Sequence, residues 1–149
     1  MSAANSTENS LLLLLFNNTD FANAGDAAGL QNSAAAGSFY IGLHTGDPGE
    51  TGNQSTSETA YTNYARVAVA RSGAAWTVSG TAPTQVANAA AINFPTCGVT
   101  GSTITHFSVG LQSAGATEIL ASGALGASYS ASNGNTPSFA IGALLVNVD

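Results

Sequence analysis

The sequence predicts a mainly β protein: an antiparallel β-sandwich or jelly-roll-like domain with an N-terminal helix. Three observations carry that expectation. From residue 38 onward, short apolar segments alternate with polar positions at a period of two, as half-buried strands do. Gly, Ser, Asn and Pro separate these segments at short intervals, which is turn chemistry. Only one stretch, near the N-terminus, gathers apolar residues without alternation. Some seven to eight short strands of this kind point to antiparallel layers and not to a βαβ fold.

"NSTENSLLLLLFNN" (5–18) predicts a helix of about three turns. Ser6 or Thr7 is placed to cap it, Glu8 lies in the first turn where the dipole favours an anion, and Asn17 and Asn18 can end it. Its apolar residues fall on every face, so burial against a sheet or a neighbouring subunit is expected. The run is far shorter than the roughly 20 residues that span a bilayer. No Lys or Arg precedes it to form the basic region of a secretory signal, so it reads as a helix of the mature fold. Residues 19–37, rich in Ala, Gly, Asn and Ser, read as a loop or arm. The expected organisation is therefore 1–37 as helix and extended arm, then 38–149 as one compact β domain.

Within that domain, "SFYIGLH" (38–44) puts Phe39, Ile41 and Leu43 on one face and Tyr40 and His44 on the other. "TGDPGETGNQSTSET" (45–59) is a polar, Gly-rich, exposed loop. "YARVAVARS" (64–72) alternates with Val67 and Val69 on one side, and "AWTVSG" (75–80) follows a Gly-containing turn, which reads as a hairpin. "AAINFP" (90–95) is a strand stopped by Pro95. "ITHFSVGL" (104–111) and "EILASGAL" (118–125) flank the hairpin loop 112–117. "ASYSA" (127–131) is a weaker strand, "SNGNTP" (132–137) a tight turn with Gly134 suited to positive φ, and "SFAIGALLVNV" (138–148) the closing strand.

Composition narrows the function. Charged residues are 7% of the chain, against roughly a quarter in ordinary soluble proteins. There is no Lys, Arg66 and Arg71 are the only fixed cations, and the net charge is −6. Nucleic-acid binding requires several cations against phosphates, so nucleic acid is excluded as an expected partner, and an anionic membrane surface with it. A surface of Ser, Thr, Asn, Gln, Gly and Ala has few long side chains to immobilise, which favours contact with copies of itself or with a larger shell. Cys97 stands alone and reads as a small buried residue, since no intrachain disulfide can form.

The candidate sites are few. His44, Asp47 and Glu50 cluster in "GLHTGDPGE", and His106 could join His44 if their strands are neighbours. The spacing matches no compact zinc motif, and the acids Asp47, Glu50 and Glu58 do not follow the EF-hand pattern. "TGDPGETG" is explained as turns: Pro48 presets φ, Gly46 and Gly49 permit the left-handed region, and Asp47 can bond its own backbone. No nucleophile elbow is present, and no cofactor or metal is expected. Trp76, in an alternating strand with Val78, reads as core, with an exposed sugar platform as its alternative. Arg66 and Arg71, two cations among eight acids, should each have a defined partner, within the fold or across an interface.

The order of "EN-LL--LF", "YIGLHTGDPGETG", "YTNYARVAVA", "INFP", "THFSVG", "SGAL" and "GNTPSFAIGALLVNVD" resembles a family of small tailed-bacteriophage proteins, commonly labelled tail fibre proteins. The resemblance covers nearly the whole chain, with "GLHTGDPGE" and "YARVAVA" its most specific parts. It implies a virion structural protein and brings no catalytic residues. By type, the chain is also similar to capsid cement or decoration proteins. The leading expectation is therefore a non-enzymatic homo-oligomer, a dimer or trimer. It would assemble in the host cytoplasm and bind the major capsid protein on the outer capsid surface. Its interface candidates are Leu11, Leu12, Leu14, Leu15 and Phe16 on the helix, Asp47, Pro48 and Glu50 in the loop, and Arg66 and Arg71. The alternative is a small tail fibre or tail-tip component that binds a host surface glycan.

Overall fold

Helix α1 (Asn5–Asn17) opens the computed structural model, which describes residues 3–79 and 84–147. The helix starts one residue before the predicted caps: Ala4 is the extended N-cap, and its carbonyl accepts from Thr7 and Glu8 at 2.8 and 3.0 Å. Ser6 and Thr7 are therefore already helical and cap nothing. Asn18 ends the helix as expected, in the left-handed region with φ of 55°, a conformation Asn tolerates. One stripe is buried, Glu8, Leu12 and Phe16 at i, i+4 spacing, while Leu11, Leu13, Leu14 and Leu15 are half-buried. The helix packs against a sheet, as expected: α1 lies on β3 and β4, and these cover one face of it.

Among the described residues the chain is mainly antiparallel β with this single N-terminal helix, as the sequence predicts and consistent with a β-sandwich. It forms two compact units that trade segments. Chain crossings fall at 37/38, 69/70, 91/92 and 138/139.

The first unit holds residues up to Gly37, Ala70–Ala91 and the chain from Phe139 on. Its sheet is β3 (Trp76–Ser79), β4 (Gln85–Asn88) and β9 (Leu145–Asn147), in that order and antiparallel throughout. Phe16 meets Trp76 edge-on with ring centroids 4.9 Å apart, and Leu12, Val86 and Leu144 complete a core with each at 1% exposure or less.

The second unit, Ser38–Val69 and Ile92–Ser138, is built on a four-stranded sheet. Its order is β2 (Val67–Ala70), β1 (Ser38–His44), β6 (Ser102–Gly110), β7 (Ile119–Ala131). The centre strands β1 and β6 run antiparallel from Tyr40↔Gly110 to His44↔His106. Ile41, Leu43, Ile104, Phe107 and Val109 bury here. The β6–β7 hairpin is as predicted, although β7 absorbs both 118–125 and 127–131 across an irregular register. β5 (Ile92–Asn93) and β8 (Ser138–Phe139) are two-residue strands.

One predicted pairing fails. The segments 64–72 and 75–80 do not form a hairpin, since β2 joins β1 while β3 pairs with β4. Trp76 decides this: its ring is fully buried against Phe16, so β3 follows the helix. β4 went unpredicted because Val86 is its only large apolar residue. The closing segment 138–148 breaks into β8 and β9 at a turn where Ala143 N–H meets the Ala140 carbonyl at 3.0 Å and Gly142 takes φ of +74°. Gly80 and Val148, the ends of two predicted strands, lie outside the described residues.

Candidate functional site

The second unit contains a dense polar cluster, assembled from the end of β1, the loop after it and the loop 112–117. Arg66 enters just before β2 and places its Nε 2.6 Å and Nη2 2.7 Å from the two carboxylate oxygens of Glu58. Such a fork is the geometry for which Arg, and not Lys, is suited. Arg66 also donates to the carbonyls of Gln112 at 3.1 Å and Gly115 at 3.0 Å, pinning the far loop. The Tyr64 hydroxyl donates to Glu58 at 3.0 Å and accepts from the Leu43 N–H at 3.0 Å. Burial raises the Tyr64 phenol well above its usual range, and the Glu58 charge adds to this. The side chain of Arg66 is 2% exposed and that of Glu58 18%, so the pair is largely desolvated. Its hydrogen bonds raise the Arg66 guanidinium further above its already high pKa.

His44 lies beside this pair, fully buried. Nδ1 sits 2.8 Å from the Thr56 carbonyl, which can only accept, so Nδ1 carries the proton. Nε2 then accepts from Ser108 Oγ at 2.8 Å. Burial holds the His44 pKa below its usual value, against the opposing pull of the Thr56 bond and the Glu58 charge. Gly42 keeps room for the cluster, since a Cβ there would stand 2.9 Å from Ser108 Oγ and 3.3 Å from His44 Nε2. His106 is directly opposite His44 in register, but its Nδ1 bonds the Thr105 hydroxyl at 2.8 Å. Among the described residues no group of three or more His, Cys, Asp or Glu converges.

Outside the cluster lies an open depression of about 540 Å³, lined by Glu58, Tyr61, Asn63, Tyr64, Arg66 and Ser113 among others. Asn63 and Ser113 are exposed at it, whereas Tyr61 is 2% exposed. Burial pushes the Tyr61 phenol up to about 12, and its hydroxyl is held by the Pro95 carbonyl at 2.9 Å.

A family model described as Podophage GP4 fiber I protein gp80 matches residues 2–147. The chain belongs to the gp80 family. The expected resemblance to phage tail fibre proteins is thereby borne out, and the chain is a phage virion structural protein. No curated protein sequence matches it.

In this gp80-family chain, the residues singled out from sequence fall into distinct surroundings. Leu12 and Phe16 are each 1% exposed and inside the first unit, while Leu11, Leu14 and Leu15 are half-buried on the helix flank. Asp47 and Glu50 are exposed and Pro48 is buried. Asp47 Oδ1 accepts from the Gly49 N–H at 2.9 Å with Gly49 at φ of +67°, so the turn reading of "GDPG" holds. Both arginines have partners within the fold. Arg71 donates to the Leu14 carbonyl at 2.7 Å, to the Leu15 carbonyl and to the Ala36 carbonyl at 2.9 Å, closing the C-terminal end of α1. Trp76 is fully buried, so it offers no sugar platform. Cys97 is buried, as expected.

Sequence reasoning missed Gln54. It is fully buried in the loop read as exposed. Its Oε1 accepts from the N–H groups of Leu111 and Gln112, each at 3.1 Å, and from the Thr117 hydroxyl. The one signal for it is Gly110, where a Cβ would stand 2.0 Å from Gln54 Cδ. Only a glycine there lets the amide in. The loop 45–59 is thus half interior, with Pro48, Gln54 and Thr59 buried.

Proposed function

We propose that this gp80-family chain is a component of a bacteriophage tail fibre, working by contact and not by catalysis, and that its partner is a glycan of the host surface. The observation that carries the reading is the match to a fibre protein over residues 2–147. The capsid-cement reading draws no support from that family description, so the major capsid protein is not proposed as partner. Non-enzymatic action is supported by the burial of the Ser108–His44 pair: both side chains have 0% exposure, so no substrate reaches them. The charge balance supports uncharged partners over nucleic acid or anionic lipid, because both arginines are committed to Glu58 and to backbone carbonyls. The depression beside Asn63 and Ser113 is the concave polar surface where sugar hydroxyls would find amide, hydroxyl and carbonyl groups.

Gold-labelled antibody against the chain, applied to intact virions, tests the placement. Label on the tail fibres is expected, and label over the head overturns the proposal. Purified protein should also compete with virions for adsorption to host cells. If it leaves adsorption unchanged, the glycan part of the reading falls.

A further inference from the structure

The four-stranded sheet ends in two unlike edges. At one, β2 is four residues long and stands between Arg66 and Arg71, a short strand with a charge at each end. At the other, β7 runs for thirteen residues with no charged residue and no Pro. Natural edge strands are guarded by shortness, charge, Pro or bulges, because their free N–H and C=O groups template further pairing. β7 has Glu118 directly before its first residue and a bulge-like irregularity toward each end of its pairing with β6, but it carries no charge and no Pro between them. Its register with β6 shifts between Ile104 and His106 and again between Val109 and Gly110. Between the shifts lies a regular stretch, Ala121–Ala124, paired on one side with His106–Val109. Among the described residues no strand pairs with its other side.

The apolar layer also runs out incompletely covered at this edge. Ala121 and Gly123 stand opposite Val109 and Phe107, which are buried. Yet Ile119, Ala121 and Leu125 on β7 itself are only half-buried. The core side of the sheet therefore continues to the edge and lacks the next strand that would shield it.

We propose that a second copy of this chain supplies that strand. β7 pairs antiparallel with β7 of the copy about a two-fold axis at Ser122, so that Ser122 faces Ser122 and Ala121 faces Gly123. Directly opposed residues of an antiparallel pair share a face, so the two core-side rows join on one side of a doubled sheet. Charge selects the occupant. A chain of net charge −6 repels its own copy wherever its acids meet, and β7 is an edge with none. A different partner would be selected by complementary charge along the strand, and β7 offers nothing for such a partner to read. A two-fold pairing needs no second sequence, since one strand serves as both halves of the interface.

The test uses the full chain and two variants at Ser122, an exposed position where neither substitution burdens the fold. Light scattering on the eluting unmodified chain should report twice the mass of one chain. Ser122→Lys sets two ammonium groups against each other, and the dimer should be lost while the circular dichroism spectrum is kept. Ser122→Cys should yield a disulfide-linked dimer on mild oxidation, whereas the unmodified chain, with Cys97 buried, should not cross-link. A monomeric unmodified chain overturns the proposal. So does a trimer, which a two-fold pairing cannot close. An oligomer that survives Ser122→Lys, with no cross-link in Ser122→Cys, places the interface elsewhere and overturns it too.

Discussion

Glu58→Ala strands a guanidinium. Arg66, with its side chain 2% exposed, would lose the carboxylate that meets its Nε at 2.6 Å and Nη2 at 2.7 Å. The Gln112 and Gly115 carbonyls at 3.1 and 3.0 Å would remain, dipoles in place of a counter-charge. Removing one partner of a buried ion pair costs about 3–5 kcal/mol. The remaining carbonyls favour the lower half of that range, and the orphaned Tyr64 hydroxyl returns about 1 kcal/mol. We expect a loss of about 3–5 kcal/mol, a large share of a typical stability of about 5–15 kcal/mol. Urea unfolding followed by far-ultraviolet circular dichroism reads it as a lower midpoint at unchanged slope. Trp76, the only Trp, sits in the first unit, so its fluorescence reports separately on that unit. A loss below about 1 kcal/mol would refute the reasoning, for the pair would then behave as an exposed one. Glu58→Leu with Arg66→Met should restore most of the loss, because removing both charges removes both desolvation costs.

Arg71→Ala should cost about 2–3 kcal/mol by leaving the last carbonyls of α1 without their cation. Because Phe16 packs on Trp76, the indole emission should shift; an unaltered spectrum and midpoint would count against the clamp, and Arg71→Lys should recover only part. His44 is held below its usual pKa when folded and returns to about 6.5 when unfolded. The unfolded chain therefore binds more protons in between, so stability is fully present above about pH 6.5 and falls as the pH drops below it. A pH series of urea midpoints should show this slope, and His44→Gln should flatten it. Gly110→Ala drives a methyl to 2.0 Å from Gln54 Cδ; we expect a loss of about 1–3 kcal/mol from overpacking. Faster amide exchange at Leu111 and Gln112 is the accompanying sign, and unchanged exchange there would show that Gln54 does not hold the loop.

Much of the β structure was legible because it is local. Alternation in "SFYIGLH" and "THFSVG" states which residues share a face, and the turn between β7 and β8 is written in Asn133 and Gly134, the latter at φ of +86°. Scarcity made the arginines legible as well: two cations among eight acids had to be spoken for. Which acid answers Arg66 was not legible, since eight were available and the choice depends on how the loop after β1 folds back. The loop itself was misread for the same reason. "TGNQSTSET" is polar in composition, but Gln54 earns burial only through three donors from residues more than fifty positions away.

Taken alone, the chain of residues determined the class, an antiparallel β protein with one helix and almost no charge, because face and turn preferences act over a few neighbours. It also determined kinship, through short motifs strung along nearly the whole length. Tertiary structure alone decided the partners: β3 with β4 and not with β2, Glu58 for Arg66, and helix carbonyls for Arg71. A strand presents the same edge to any other strand, and a cation the same charge to any acid. The selection is made only when the whole set of side chains must be buried at once.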